Sequence, residues 1–328
     1  MTSGSELREC DPTAAHAAPD VRYVKHDQPL TQGVLASLGF GATALSSADP
    51  RRFNVALEPL GTAVAEEWHV TGPVISGTDG ALQWSRGGGW LFAAIELDEG
   101  RHGGAEETAR LAYAALSEFV AASPERHVQR IWNYLGAINQ GQGDDERYKH
   151  FCQGRMEGMG DIFAHGFPAA TAIGHHATAH RLQVYLLASS QPGTRIENPR
   201  QVSAWQYPRQ YGRTPPSFAR ATLLPAGDVL AISGTASVVG HASAHAGNLD
   251  AQLDETLVNL ETLLTASALP RSFDARAPLK VYVRHREHEA RVRAFLAQRL
   301  PDAPALLLHG DICRDDLLVE IDGWRYRT

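Results

Sequence analysis

The order of hydrophobic periodicities along this chain predicts an α+β protein built from two similar halves, with helices packed on one face of largely antiparallel or mixed sheets. Three observations carry that expectation. Leu249, Leu253, Leu257, Leu260 and Leu264 recur at three- and four-residue spacing, the apolar stripe of one helix. Residues 316–322 alternate instead, with Leu317, Val319 and Ile321 on one face and Asp316, Leu318, Glu320 and Asp322 on the other, which is the period of a strand. The same order of element types then occurs twice, without obvious sequence identity, pointing to an internal structural duplication.

In the C-terminal half, strands are expected over residues 218–224 and 229–237, turned at Gly227-Asp228, followed by the leucine-striped helix that Leu269-Pro270 closes. A strand at 279–283, a helix over 287–300 burying Val292, Phe295, Leu296 and Leu300, and two strands at 305–309 and 316–322 complete it. The N-terminal half reads as a β-ribbon at 82–97, a helix at 104–122, a strand at 128–134, a helix at 145–163, and strands at 169–174 and 182–188. Residues 189–217 hold Pro192, Pro199, Pro208, Pro215 and Pro216 and join the halves as irregular chain. The expected organisation is a tail over residues 1–20, one domain over 21–190 and a second, carrying the chemistry, over 191–328.

Composition narrows the partners. The 328 residues are 43% hydrophobic, ample for two packed cores. With 37 acidic and 30 basic side chains the formal charge is −7, which argues against nucleic acid and anionic membranes. Cys10, Cys152 and Cys313 lie far apart, so no disulfide framework is expected, and the chain opens without a basic and apolar leader pattern. A cytoplasmic setting follows as the expectation. Among 15 histidines no His-Glu-x-x-His occurs, and no metal is expected. Gly87-Gly88-Gly89 and Ser233-Gly234-Thr235 lack the spacing of nucleotide loops and read as ribbon turns or close backbone approaches.

Two features suggest chemistry. Glu320 shares a strand face with Leu318, and a carboxyl enclosed by apolar neighbours is pushed toward the neutral form that a general acid needs. The junction combines Arg200, Arg209, Arg213 and Arg220 with Trp205, Tyr207 and Tyr211, a surface suited to a small, planar, carboxylated molecule. Arg155, on the helix after Trp132-Asn133-Tyr134, is placed to reach a cleft between the halves. Read by themselves, these residues also fit a solvated sheet face and a structured linker.

The ordered set Arg130-Ile131-Trp132-Asn133-Tyr134, Glu146-Arg147-Tyr148, Gly154-Arg155, Pro168-Ala169-Ala170-Thr171-Ala172-Ile173-Gly174, Glu197-Asn198-Pro199-Arg200-Gln201-Val202, Ser233-Gly234-Thr235-Ala236-Ser237, Gly240-His241 and Asp311-Ile312-Cys313-Arg314 resembles the chorismatase family over residues 128–323. The C-terminal half also looks like the RidA/YjgF (chorismate mutase-like) fold, including the closing Leu318-Val319-Glu320-Ile321. The resemblance implies two RidA/YjgF-like halves and a cofactor-independent enzyme that releases pyruvate from chorismate. It makes Glu320 the acid that protonates the enol ether methylene, and sets Arg155, Arg220, Tyr207 and Tyr211 to hold the substrate carboxylates. Cys313 and Gly234 resemble the residues of members that release 3-hydroxybenzoate, some of which also make 4-hydroxybenzoate; hydrolytic members release a dihydrodiol. An imine deaminase of the RidA type is the alternative activity, but the arginine such enzymes carry is absent from residues 305–309. A non-catalytic chorismate sensor is the third reading. Monomer and homotrimer both suit a duplicated chain of this fold.

Overall fold

The computed structural model describes residues 17–25, 28–41, 47–177 and 180–327. Residues 1–16 of the expected tail lie outside these. Its last part does not behave as a tail: Ala17 and Pro19 carbonyls accept hydrogen bonds from Trp90 Nε1 and the Tyr326 hydroxyl.

The chain begins with β1 (Asp20–Lys25), β2 (Val34–Phe40), β3 (Arg52–Val55), β4 (Glu58–Pro59) and β5 (Val64–His69). Four of these form a sheet in the order β1-β5-β2-β3. The N-terminal half follows as β6 (Ile75–Asp79), β7 (Leu82–Gly87), β8 (Trp90–Asp98), α1 (Ala105–Ala121), β9 (His127–Gly136), α2 (Arg147–Gly158), β10 (Ala169–His175) and β11 (Arg181–Ser189). The C-terminal half holds β12 (Thr194–Ile196), β13 (Ala221–Leu223), β14 (Val229–Ala236), the ribbon β15 (Val238–Val239) and β16 (Ala242–Ser243), and α3 (Leu249–Ala266). It ends with β17 (Leu279–Val283), α4 (Glu289–Arg299), β18 (Ala305–His309), β19 (Asp311–Ile312) and β20 (Val319–Tyr326).

The two large sheets run β19-β10-β9-β11-β8-β7-β6 and β12-β13-β14-β20-β17-β18-β4. Their central five strands correspond one to one, which is the duplication expected from the sequence. Each has one parallel pair, β9 with β10 and β17 with β18, and a helix, α2 or α4, makes the crossover between its strands. The halves also exchange strands: β4 pairs with β18, and β19 pairs with β10.

Helices α1 and α2 cover one face of the first sheet, α3 and α4 one face of the second. The opposite faces meet the four-stranded sheet in a third core, where Trp68, Trp132, Trp324, Tyr134, Tyr185 and Tyr282 pack together. Among the described residues, no helix is long and apolar enough to cross a membrane.

Three expectations are corrected. The helix expected over 145–163 stops at Gly158, where left-handed Gly160 (φ +54°) leads into a short 3-10 turn. The final strand runs from Val319 to Tyr326, not 316 to 322. Its first expected residues form a turn instead, Leu317 N–H donating to Arg314 O and Leu318 N–H to Gln252 Oε1. Leu317 therefore enters the central core while Val319 and Ile321 face the helices. The sheet built by residues 20–69 had no counterpart in the sequence reading.

Candidate active site

Glu320 stands where the two large sheets approach each other, and a bulge in β14 makes the room. Ile232 pairs with Gly323 and Thr235 with Ile321, so β14 carries one residue more than β20 over this stretch. The bulged residues are tied to β10 of the other half. Ser233 Oγ accepts from Ala170 N–H at 3.0 Å, and Gly234 N–H donates to Thr171 Oγ1 at 2.9 Å. A Cβ on Gly234 would lie 1.9 Å from Glu320 Oε1. Gly234 is thus needed by the carboxyl itself, beside any room it leaves for a substrate ring. Gly234→Ala is expected to displace that carboxyl by about an ångström and lower kcat roughly 10- to 100-fold. The fold should survive, because the clashing atom ends a side chain; circular dichroism and steady-state turnover check both, and unchanged turnover would refute the packing argument.

Burial pushes the Glu320 carboxyl up to about 8, and the neighbouring Asp322 adds to the rise. Arg130, Arg220 and Arg314 act against it without cancelling it. Glu320 therefore keeps its proton near neutrality.

Above Glu320 opens a cavity of about 640 Å³. All seven residues singled out from the sequence line it: Glu320, Cys313, Gly234, Arg155, Arg220, Tyr207 and Tyr211. Arg155 projects from α2, which lies so close to α1 that a Cβ on Gly154 would fall 1.8 Å from the Glu106 carbonyl oxygen. Its guanidinium donates to Ser217 O at 2.7 Å, and its buried Nε has no acceptor among the described residues. Arg220 precedes β13 and donates to Val202 O at 2.8 Å and to the Tyr207 hydroxyl at 2.7 Å; its buried Nε likewise has no acceptor there. Buried N–H groups without acceptors are costly unless something else meets them, and carboxylate oxygens fit.

Tyr207 and Tyr211 stand with ring centroids 5.1 Å apart. Arg314, which the sequence reading left out of the site, lies over both rings, 4.1 Å from the Tyr211 centroid and 5.2 Å from that of Tyr207. It also donates to His241 O at 2.9 Å. The strap bearing the tyrosines is clamped to the N-terminal half from outside by Asp144, which pairs with Arg209 at 2.6 Å and Arg213 at 3.3 Å. Those hydrogen bonds hold the Asp144 carboxyl well below its usual range. Cys313 is half-buried, and burial together with nearby Glu320 pushes its thiol up to about 12. It is thus a neutral thiol at physiological pH, available as a weak hydrogen-bond donor rather than as a nucleophile.

Fold and cavity together define a class: a duplicated α+β protein whose open cavity gathers Arg155, Arg220 and Arg314 around the protonated Glu320 carboxyl. Comparison with known proteins names it more closely. The family model for the N-terminal region of FkbO/Hyg5-like chorismatases matches residues 66–188. A chorismatase of Streptomyces hygroscopicus is 37% identical over 327 residues, covering 93% of this chain and 94% of its own. A 3-hydroxybenzoate synthase of the same species is 36% identical over 284 residues, covering 81% and 82%. A crystal structure of a chorismatase superposes with a TM-score of 0.85 at 33% identity, covering 95% of this chain and 100% of that one. The chain belongs to the chorismatase family.

Proposed function

We propose that the protein converts chorismate to 3-hydroxybenzoate and pyruvate without a cofactor, and that Glu320 is the acid that starts the reaction. The observation that carries this reading is the protonated carboxyl at the floor of a cavity walled by Arg155, Arg220 and Arg314. The arginines receive the two substrate carboxylates, and Tyr207 with Tyr211 holds the ring between flat faces. Glu320 gives its proton to the enol ether methylene, forming a C–H bond and leaving positive charge on the ether carbon. The ring hydroxyl beside the ether captures that centre and gives up its proton. The ring's bond to that hydroxyl oxygen and the bond from the ether oxygen to the former enol carbon then break, releasing pyruvate. Loss of the proton on the ether-bearing ring carbon makes the ring aromatic, and the ether oxygen becomes the phenol; the two products together have the composition of chorismate. Cys313 and Gly234 support this aromatising outcome, as does the similarity to a 3-hydroxybenzoate synthase. Capture by water instead would yield a dihydrodiol, and 4-hydroxybenzoate is a further product of the same site.

The reading divides the chain into an N-terminal half over 21–190 and a catalytic half over 191–328, cytoplasmic, acting as a monomer or homotrimer. Its test is purified protein with chorismate and no added cofactor, pyruvate followed by a coupled assay and the ring product identified by chromatography. Pyruvate with 3-hydroxybenzoate is the expected result. A dihydrodiol would overturn the role given to Cys313 and Gly234, and absence of pyruvate from folded protein would overturn the activity.

A further inference from the structure

Behind Glu320 lies a group of charged side chains that the reaction itself does not use. Asp322, two residues along β20, projects from the same strand face. Its Oδ2 accepts hydrogen bonds from Thr171 Oγ1 at 2.7 Å, Tyr282 Oη at 2.8 Å, Trp132 Nε1 at 3.1 Å and Arg130 at 3.2 Å. Its Oδ1 has only the Lys280 ammonium, 3.6 Å away, and no hydrogen bond among the described residues. Lys280 Nζ pairs with Glu66 Oε2 at 2.8 Å, and Trp68 Nε1 donates to Glu66 Oε1 at 2.7 Å. Asp322, Arg130, Lys280 and Glu66 are each fully enclosed.

The formal charges of these four cancel, two positive and two negative, without Glu320. An ionised Glu320 would add a fifth charge to the group, met only in part by Arg220 and Arg314 at the cavity wall, in surroundings where buried charge is expensive. The groups that act on Glu320 come from several elements. Asp322 shares its strand, Arg130 comes from β9, and Cys313 and Arg314 follow β19. Arg220 precedes β13, and Gly234 of β14 lies against the carboxyl, with the Thr171 hydroxyl of β10 bonded to its N–H. Asp322 is the single anion among these; Glu146, Asp315 and Asp316 line the cavity that opens above. Thr171 joins the two carboxyls mechanically, since its hydroxyl accepts from Gly234 N–H, on which Glu320 rests, and donates to Asp322.

We propose that Asp322 is a positioning residue for the acid: its charge, fixed two residues along the same strand face, keeps the proton on Glu320, and Lys280 behind it limits that effect. The inference rests on Glu320 being the acid of the proposed reaction. It is also the reason for spending a buried ion group at this junction, where apolar residues would pack as well.

Two readouts in the full-length protein test it: the infrared band of the protonated Glu320 carboxyl across pH, each variant measured against its own Glu320→Gln partner, and the pH profile of kcat/KM for chorismate. In Asp322→Asn both the band and the alkaline limb of activity should move down by about one pH unit. In Lys280→Gln both should move up, by about half a unit. A band that stays within about 0.2 unit in folded Asp322→Asn overturns the proposal, as does movement in one direction in both variants. Should Asp322→Asn fail to fold, Lys280→Gln decides alone, and absence of an upward shift overturns it. Turnover retained by Glu320→Gln would sink Glu320 as the acid. Unmoved bands beside an inactive Glu320→Gln would sink only the role of Asp322.

Discussion

Glu320→Gln is expected to lower kcat on chorismate by about 1000-fold or more while leaving KM within a few-fold. The amide has nearly the shape of the protonated carboxyl, so the space left by Gly234 accepts it. It has no proton acidic enough to give to carbon, and an enol ether without an acid partner is slow to protonate. The side chains proposed to hold the substrate should be untouched, because Arg155, Arg220, Tyr207 and Tyr211 make their protein contacts elsewhere. In the wild type the same residue is expected to set the pH dependence. With the carboxyl pushed up to about 8, kcat/KM should be level below that pH and fall about tenfold per unit above it. Steady-state kinetics from pH 6 to 10 checks both statements. Turnover in Glu320→Gln within tenfold of wild type would mean that another group donates the proton, and an alkaline limb below pH 6 would mean that Glu320 is not held protonated.

How far the sequence foretold this site follows from how local each signal is. The leucine stripe of α3 and the alternation of Glu320 with Asp322 are set by neighbours in sequence, and the structure shows both. The duplication was legible because each half repeats a crossover pattern that the chain can form only one way. The seven residues singled out from the sequence, all of which line the cavity, came together because a family resemblance joined segments 155, 207–220, 234 and 313–320, which periodicity alone left as separate polar patches. Arg314 was passed over although it follows Cys313 directly, since nothing local says that its guanidinium covers two tyrosines a hundred residues earlier. Asp322 was seen as a face-mate of Glu320, but its partners Thr171, Trp132 and Arg130 come from the other half, 151 to 192 residues away. The four-stranded sheet of residues 20–69 was missed for the same reason: its β2 is buried along its whole length and so shows no alternation.

A protonated acid in the core should also leave a mark on stability, and with a definite sign. The Glu320 carboxyl has an ordinary value of 4.5, expected in the unfolded chain, and about 8 when folded. Below pH 4.5 both states hold the proton and the group is indifferent. Between pH 4.5 and 8 the unfolded chain releases it while the native protein retains it, so folding must take up a proton, at about 1.4 kcal/mol for each pH unit. Stability is thus fully present below pH 4.5 and is lost progressively as pH rises, and above pH 8 the loss levels off at about 5 kcal/mol. Glutamine does not titrate. Glu320→Gln, the inactive variant, is therefore expected to gain on wild type as pH rises, by about 3 kcal/mol at pH 7 relative to their difference at pH 4.5. Any constant cost of burying the amide leaves that slope unchanged. Denaturant unfolding of both proteins at pH 5, 7 and 8.5 measures it directly. A difference independent of pH would show that Glu320 titrates alike in the folded and unfolded chain, while the expected slope would mean that the enzyme gives up stability at neutral pH to keep its acid charged with a proton.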